Sequence, residues 1–233
     1  LKTATDSPNL EALGRHALRY VKRGQTIGLG TGRAANAFIR ALAEARLDVR
    51  GVPTSQASAE LATSLGIPLA DLSDVAKIDI DFDGADEVDP HLNLIKGWGG
   101  AMVREKIVAA AARKRIFLVG EEKLVKRLGA RGTLPVEVVP FAVSFVARQI
   151  AKFGLKPKSR TKDNGTAFVT DNGNRVIDCG VKEIHNPARL ERDLRAIPGV
   201  VGTGLFLGIA NVVLVAMRDG SIRMLRPASA TRR

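Results

Sequence analysis

Sulfur, aromatic rings and acid are all scarce in this chain. It holds one cysteine, Cys179, in 233 residues, so no disulfide can close within it and a reducing cytoplasm is the expected compartment. Phe, Trp and Tyr together make up 4%, and nowhere do rings interleave with a basic stripe as they do in nucleic-acid binders. No apolar run approaches the roughly 18 residues that a membrane span requires. The opening LKTATDSPNLEALGRH lacks the apolar stretch of a signal peptide, and a first residue of Leu suggests that the natural start lies upstream. Three histidines, His16, His91 and His185, have neither metal-ligand spacing nor a cysteine pair nearby. They are expected to be surface or core residues.

Acids are outnumbered, 24 Asp and Glu against 36 Lys and Arg, for a formal charge of +12. Such an excess suits nucleic acid, a small anion or plain solubility. The basic residues are spread along the chain, with one small cluster at 156–162. A small phosphorylated ligand therefore fits better than nucleic acid. Hydrophobic residues at 45% and charged residues at 26% are ordinary for a globular protein. The length allows one large domain or two modest ones.

What is present concentrates in residues 83–107, DGADEVDPHLNLIKGWGGAMVREKI. Three carboxylates (Asp83, Asp86, Glu87), Lys96, a glycine turn (Gly97, Gly99, Gly100) and Glu105 fall within this stretch. Before it, Ile78, Ile80 and Phe82 alternate with Asp79 and Asp81, the period of a strand. Asp83 and Gly84 then sit where the strand runs out, the position at which open α/β sheets bind ligands. From Ala101 to Arg113 the residues favour a helix. Ala101, Met102, Val108 and Ala109, the helical neighbours of Glu105, offer it no cation. A carboxylate on an apolar face suits a general base. The same carboxylates, as hard oxygen donors, could instead hold Mg²⁺, but they lack EF-hand spacing.

The rest of the chain alternates strand and helix. Ser7-Pro8 has the pattern of a helix start, with Leu10, Leu13, Ala17, Leu18 and Val21 at helical spacing up to Gly24. A strand at 26–29 leads through Gly28-Leu29-Gly30-Thr31-Gly32 into a helix from Arg33. A glycine loop entering a helix N-terminus is an anion site, here with Thr31 and Arg33 as donors. The dinucleotide pattern is incomplete, because the last glycine is missing. Strands are expected at 49–52, 67–69 and 116–119, with a helix opened by Ser55 and stopped by Gly66. Lys123 falls just past a strand end. Strands alternating with helices imply a parallel sheet.

The rhythm then changes to a strand at 136–139, a helix at 142–153, strands at 167–170 and 175–178 around the turn Asp171-Asn172-Gly173-Asn174, a helix at 187–197 and a strand at 200–207. That β-α-β-β-α-β order is the ferredoxin-like plan. The expected fold is therefore α/β. A Rossmann-like parallel sheet flanked by helices, 1–131 and 208–233, would carry an inserted ferredoxin-like α+β domain at 132–207. Strands at 212–216 and 222–225 would return to the first sheet.

With these residues set out, the chain closely resembles ribose-5-phosphate isomerases of the A type. The family's phosphate loop, DGADE motif and KGGGxxxxREK motif stand here as GLGTGRAANAF, DGADEVD and KGWGGAMVREK. LPVEVVP and VTDNGNRVIDC match further segments, so the likeness spans essentially the whole chain. The resemblance implies interconversion of D-ribose 5-phosphate and D-ribulose 5-phosphate in the non-oxidative pentose phosphate pathway, without metal or cofactor. It implies Glu105 as the proton-transferring base through an enediolate. Asp83, Asp86 and Lys96 would hold the sugar oxygens, with Lys96 and Lys123 balancing negative charge. Thr31, Gly32, Arg33 and Ala34 would bind phosphate, and Gly84, Ala85, Gly97, Trp98 and Gly99 would line the substrate. A homodimer or homotetramer is also implied, with no nucleic-acid or membrane partner.

Two departures stand out. Arg33-Ala34 replaces hydroxyl residues of the family, and Leu10 stands near a frequent lysine, so Arg33 is expected to serve for both with a guanidinium fork. Trp98 replaces a glycine and is expected to add a wall to the pocket. The rival readings are a sugar-phosphate sensor without turnover and an RNA-binding module. The first lacks a helix-turn-helix segment in this sequence, and the second rests on charge alone.

Overall fold

A computed structural model of the chain describes residues 8–227; the helix-capping role expected for Ser7 lies outside them. In chain order the elements begin with α1 (Pro8–Ala17), β1 (Thr26–Leu29), α2 (Arg33–Glu44), β2 (Arg50–Pro53) and α3 (Gln56–Ser64). Next come β3 (Ile78–Gly84), β4 (Glu87–Val88), β5 (Leu94–Ile95), α4 (Met102–Ala111), β6 (Ala112–Gly120) and β7 (Thr133–Val138). Then follow α5 (Val143–Ala151), β8 (Lys156–Ser159), β9 (Arg175–Gly180) and α6 (Pro187–Arg195). The last are β10 (Val200–Thr203), β11 (Leu205–Phe206), β12 (Val212–Ala216) and β13 (Ile222–Leu225). Two compact units share them. One comprises the chain up to Ala85, Arg104–Lys123 and the chain from Ile209; the other comprises Asp86–Val103 and Leu124–Gly208. Residues 132–207 lie wholly within the second unit, which also takes in 86–103 and 124–131.

The first unit is a six-stranded sheet in the order β13-β12-β6-β3-β1-β2. Its strands run parallel except β13, which pairs antiparallel with β12 at one edge. β1 and β12 are buried along their full length, as expected of parallel strands covered on both faces. Leu10 and Leu13 of α1 share a core with Phe38 and Leu42 of α2 and with Phe82, Leu118 and Leu214 of the sheet. Phe38 and Phe82 stack with ring centroids 4.1 Å apart. Each such fully buried ring contributes about 1.5–3 kcal/mol. β2 is entered from β1 on one side, whereas the later strands lie on the other. The direction of winding therefore reverses between β1 and β3, where ligands of open α/β sheets bind.

The second unit has a four-stranded antiparallel sheet in the order β10-β7-β9-β8, with α5 and α6 in the connections. This is the β-α-β-β-α-β plan. A separate three-stranded sheet, β11-β5-β4, lies in the same unit.

Four local expectations are corrected. The strand that pairs with the outer side of β9 is Lys156–Ser159 and not 167–170. Pro157 and the exposed lysines of β8 mark an edge strand rather than a hydrophobic one, so its pattern was silent. Residues 170–174 do form the tight turn, closed by the Thr170 N–H to Asn174 O bond at 3.0 Å. The buried Glu137 Oε1 of β7 accepts from Thr170, Asn172 and Asn174 side chains at 3.0, 3.1 and 2.9 Å. The helix expected to run to Arg113 ends at Ala111, because Ala112 pairs with Ile78 as the start of β6. The strand expected at 200–207 breaks at Gly204, whose N–H reaches Pro135 O at 2.7 Å while its O accepts the Lys96 N–H at 2.9 Å. Residues 67–69 give only a bridge between Leu69 and Gly51.

Cys179 of β9 is fully buried, and burial pushes its thiol up to about 12. The thiolate is the reactive form. The native protein is thus expected to resist alkylation at pH 8 and to react at a free thiol's rate only once unfolded, which a timed iodoacetamide labelling series with and without urea would check.

Candidate active site

At the switch point, β1 runs into Gly30-Thr31-Gly32 and then α2, while β3 ends at Asp83-Gly84. Asp83 is 1% exposed. Its Oδ1 accepts the N–H of Thr31 at 3.1 Å and that of Gly84 at 2.7 Å. Gly30 is glycine because Asp83 lies against it: a Cβ there would collide with the Asp83 carboxylate and backbone. The alternation does form a strand, but one covered on both faces. Asp81 and Asp83 are as buried as Ile80 and Phe82, while Asp79 accepts the N–H of Thr26 at 3.0 Å.

Thr31 is the centre of a hydroxyl cluster that the sequence reading missed. Its Oγ1 lies 2.8 Å from Thr54 Oγ1, donates to Ser55 Oγ at 2.8 Å and lies 3.1 Å from Ser58 Oγ. Thr54 donates to Leu29 O at 3.1 Å and Ser58 to Gly30 O at 2.7 Å. Ser55 also caps α3 by accepting the Ser58 N–H, the one role expected of it. The pattern T-S-x-x-S directly after a parallel strand was the signal available. It sets three further hydroxyls at the carboxyl ends of β1 and β2, where they fix the rotamer of Thr31.

Arg33 opens α2 after Gly32, whose φ of 102° only glycine adopts freely. It lines a cavity of about 330 Å³ with Asn9, Leu10, Gly120, Glu121, Glu122 and Met217. Glu121 Oε2 there accepts the N–H of Arg218 at 3.0 Å. Lys123 ends the single helical turn that follows β6. Glu105 lies in the first turn of α4 and is 4% exposed. Thr31, Gly32, Arg33, Ala34, Asp83, Gly84, Ala85, Glu105 and Lys123 all belong to the first unit, and within it Thr31 and Asp83 are directly bonded.

The remaining expected residues, Asp86, Lys96, Gly97, Trp98 and Gly99, belong to the second unit. Lys96 follows β5 and is 2% exposed, with Nζ 5.6 Å from the centroid of the Phe206 ring. Asp86 Oδ2 accepts the N–H of Trp98 at 3.0 Å. The Trp98 indole N–H donates to Thr133 O at 3.2 Å, and the Arg131 guanidinium lies 5.2 Å from its ring. Glu87, the last letter of DGADE, is fully buried and accepts the N–H groups of Gly129 at 2.6 Å and Arg131 at 2.7 Å. Burial holds its pKa above the usual carboxylate value, opposed in part by those two N–H bonds. It anchors the loop that carries Arg131.

Residues 50–220 match the family model of ribose 5-phosphate isomerase A (phosphoriboisomerase A). The chain is 47% identical over 219 residues to the ribose-5-phosphate isomerase A of Roseiflexus sp. (strain RS-1), covering 92% of this chain and 94% of that one. It is 46% identical over 220 residues to the same enzyme of Parvibaculum lavamentivorans, covering 91% and 95%. Among solved structures, ribose 5-phosphate isomerase A of Methanocaldococcus jannaschii superposes with a TM-score of 0.90 at 39% identity, covering 95% of this chain and 100% of that one. A D-ribose-5-phosphate isomerase in complex with phospho-erythronic acid does so with a TM-score of 0.90 at 39% identity, covering 94% and 97%. With its GLGTG, DGADE and glycine-turn motifs held on this fold, the chain belongs to the ribose 5-phosphate isomerase A family of aldose–ketose isomerases.

Proposed function

We propose that Glu105 is the base that moves a proton between C2 and C1 of open-chain ribose 5-phosphate. It takes the C2 proton; that electron pair forms the C1=C2 bond of an enediolate, and the carbonyl electrons pass to O1. Glu105 then returns the proton to C1, O2 loses its proton as the C2 carbonyl forms, and O1 gains one, giving ribulose 5-phosphate. The burial of Glu105, 4% exposed in the first turn of α4, supports this most strongly, because it sets a carboxylate where bulk water does not compete for the proton being moved. Asp83 and Asp86 hold the sugar hydroxyls in this reading. Lys96 and Lys123 supply positive charge where negative charge grows on oxygen, so no metal is needed. In D₂O, turnover with EDTA present should place solvent deuterium at C1 of ribulose 5-phosphate in those turnovers in which the protonated Glu105 exchanges before it delivers to C1. Loss of activity on chelation would sink the reading.

Phosphate is bound by the Thr31–Ala34 loop with Arg33 as its charged donor. Arg33 and Leu10 share one cavity, which supports one guanidinium serving where the family resemblance implies an ammonium from the first helix and hydroxyls from the second. Arg33→Ala is expected to raise KM for ribose 5-phosphate about tenfold, the worth of a charge-assisted hydrogen bond. Its kcat should stay within about threefold of the parent, because phosphate is held alike in ground and transition states. An unchanged KM would remove Arg33 from the phosphate site. Phospho-erythronic acid, the ligand of a relative, is expected to compete with substrate, its phosphate standing in for the substrate's and its carboxylate for the negative charge of the enediolate. Assembly as a homodimer or homotetramer is part of the same proposal and would be read by light scattering.

A further inference from the structure

The turn Gly97–Gly100, closed by the Gly100 N–H to Gly97 O bond at 2.9 Å, is gripped from the far end of β8. One guanidinium nitrogen of Arg160, Nη1, donates to Gly97 O and to Trp98 O, each at 3.0 Å. The other two nitrogens are taken by Asp178 of β9: Nε donates to Oδ2 at 2.8 Å and Nη2 to Oδ1. The Phe168 ring lies 5.5 Å from the guanidinium, and a Cβ at Gly100 would collide with that ring. The Arg160 side chain is 12% exposed. Its position is thus set by a carboxylate fork, a ring and two carbonyls of the turn, all within the second unit.

The consequence follows from peptide geometry. All described peptides are trans, so each N–H points opposite to the carbonyl of the same peptide unit. Gly97 O directed at Arg160 sends the Trp98 N–H the other way, and that N–H indeed donates to Asp86 Oδ2. Trp98 O directed at the same nitrogen sends the Gly99 N–H to the Asp86 side as well. Two successive N–H groups on one side make a small anion-accepting concavity.

We propose that Arg160 is a positioning residue of the isomerisation, holding two carbonyls of the glycine turn so that the Gly99 N–H faces the substrate oxygen that becomes negative in the enediolate. This rests on the proposed function, with Glu105 moving the proton and Gly97, Trp98 and Gly99 lining the substrate. Arg160 touches no substrate itself; it acts by orienting a backbone donor, which is effective when the donor is fixed before charge develops. Lysine at this position cannot hold a bidentate carboxylate and two carbonyls together.

The experiment compares the parent, Arg160→Lys, Arg160→Ala and Glu105→Gln by kcat, KM and melting temperature, with ribose 5-phosphate as substrate. Arg160→Lys should lower kcat by about 10- to 100-fold, the scale of a misplaced catalytic donor, with KM within about threefold. Added guanidinium ion should restore part of the kcat of Arg160→Ala, and ammonium ion should not. A folded Arg160→Lys with kcat within twofold of the parent overturns the proposal. If Arg160→Lys does not fold, Asp178→Asn, which loosens the same guanidinium, takes its place: a kcat loss of about threefold or more supports the role, and an unchanged kcat overturns it. Failure of the underlying reading looks different, since Glu105→Gln would then retain turnover whatever Arg160 does.

Discussion

Glu105→Gln is expected to lower kcat for ribose 5-phosphate by roughly 10³-fold, within the range that general bases contribute, while leaving KM within about threefold. Glutamine keeps the length and shape of the side chain and favours helix almost as well as glutamate, so α4 and its packing should persist. What it loses is the capacity to accept a proton at C2 and return it at C1. Because Glu105 is 4% exposed, bulk water cannot readily substitute for it. The melting temperature should therefore move little while turnover collapses. Both should be measured on the same preparation, with EDTA present. A folded Glu105→Gln that keeps more than a tenth of the parent kcat would mean that another group moves the proton.

Gly30→Ala is expected to be the most damaging single methyl in the first unit. Its Cβ would strike both the Asp83 carboxylate and the Asp83 backbone, so no side-chain rotation relieves the clash. β1 and β3 are hydrogen-bonded neighbours, with Gly30 N–H on Phe82 O at 2.9 Å and Thr31 N–H on Asp83 Oδ1 at 3.1 Å. Separating them should cost about 1–3 kcal/mol, as overpacking does. At this chain length that is a fall in melting temperature of about 2–4 °C per kcal/mol. The larger effect should be on kcat/KM, down about 100-fold, because Asp83 and Thr31 would both shift by a fraction of an ångström to an ångström. Gly24→Ala, at a glycine with φ of 76° and open space around it, is the comparison: backbone strain without displacement of Asp83. If both variants lose activity alike, the close approach at Gly30 has no special role.

Several elements were legible in the sequence for physical reasons that act locally. Period and punctuation located β1, β3, α2 and β12, because an apolar run between a turn and a glycine has few other uses. Ser55 was legible as a cap, since its hydroxyl acts three residues away. The glycine loop before α2 and the end of β3 were placed by the same local logic, and the structure hydrogen-bonds them through Thr31 and Asp83.

Other features depended on distant partners. β8 has no hydrophobic signature because it is an edge strand, and only pairing with β9 defines it. Asp81 and Asp83 read as one polar face of a strand, but the sheet covers both faces. Thr54, Ser55 and Ser58 meet Thr31 only because β1 and β2 lie side by side. Arg160 looked like one more charge in a basic cluster, and its hold on Gly97 and Trp98, 63 and 62 residues away, arises from the return of β8 and β9 toward that turn. The sequence by itself determined the α/β class, most of the periodic elements and the family, because motifs and periodicities are properties of neighbours along the chain. Only the tertiary structure decided which backbone donors and hydroxyls are aimed at those residues, because aim is set by pairing and packing between segments that the sequence keeps far apart.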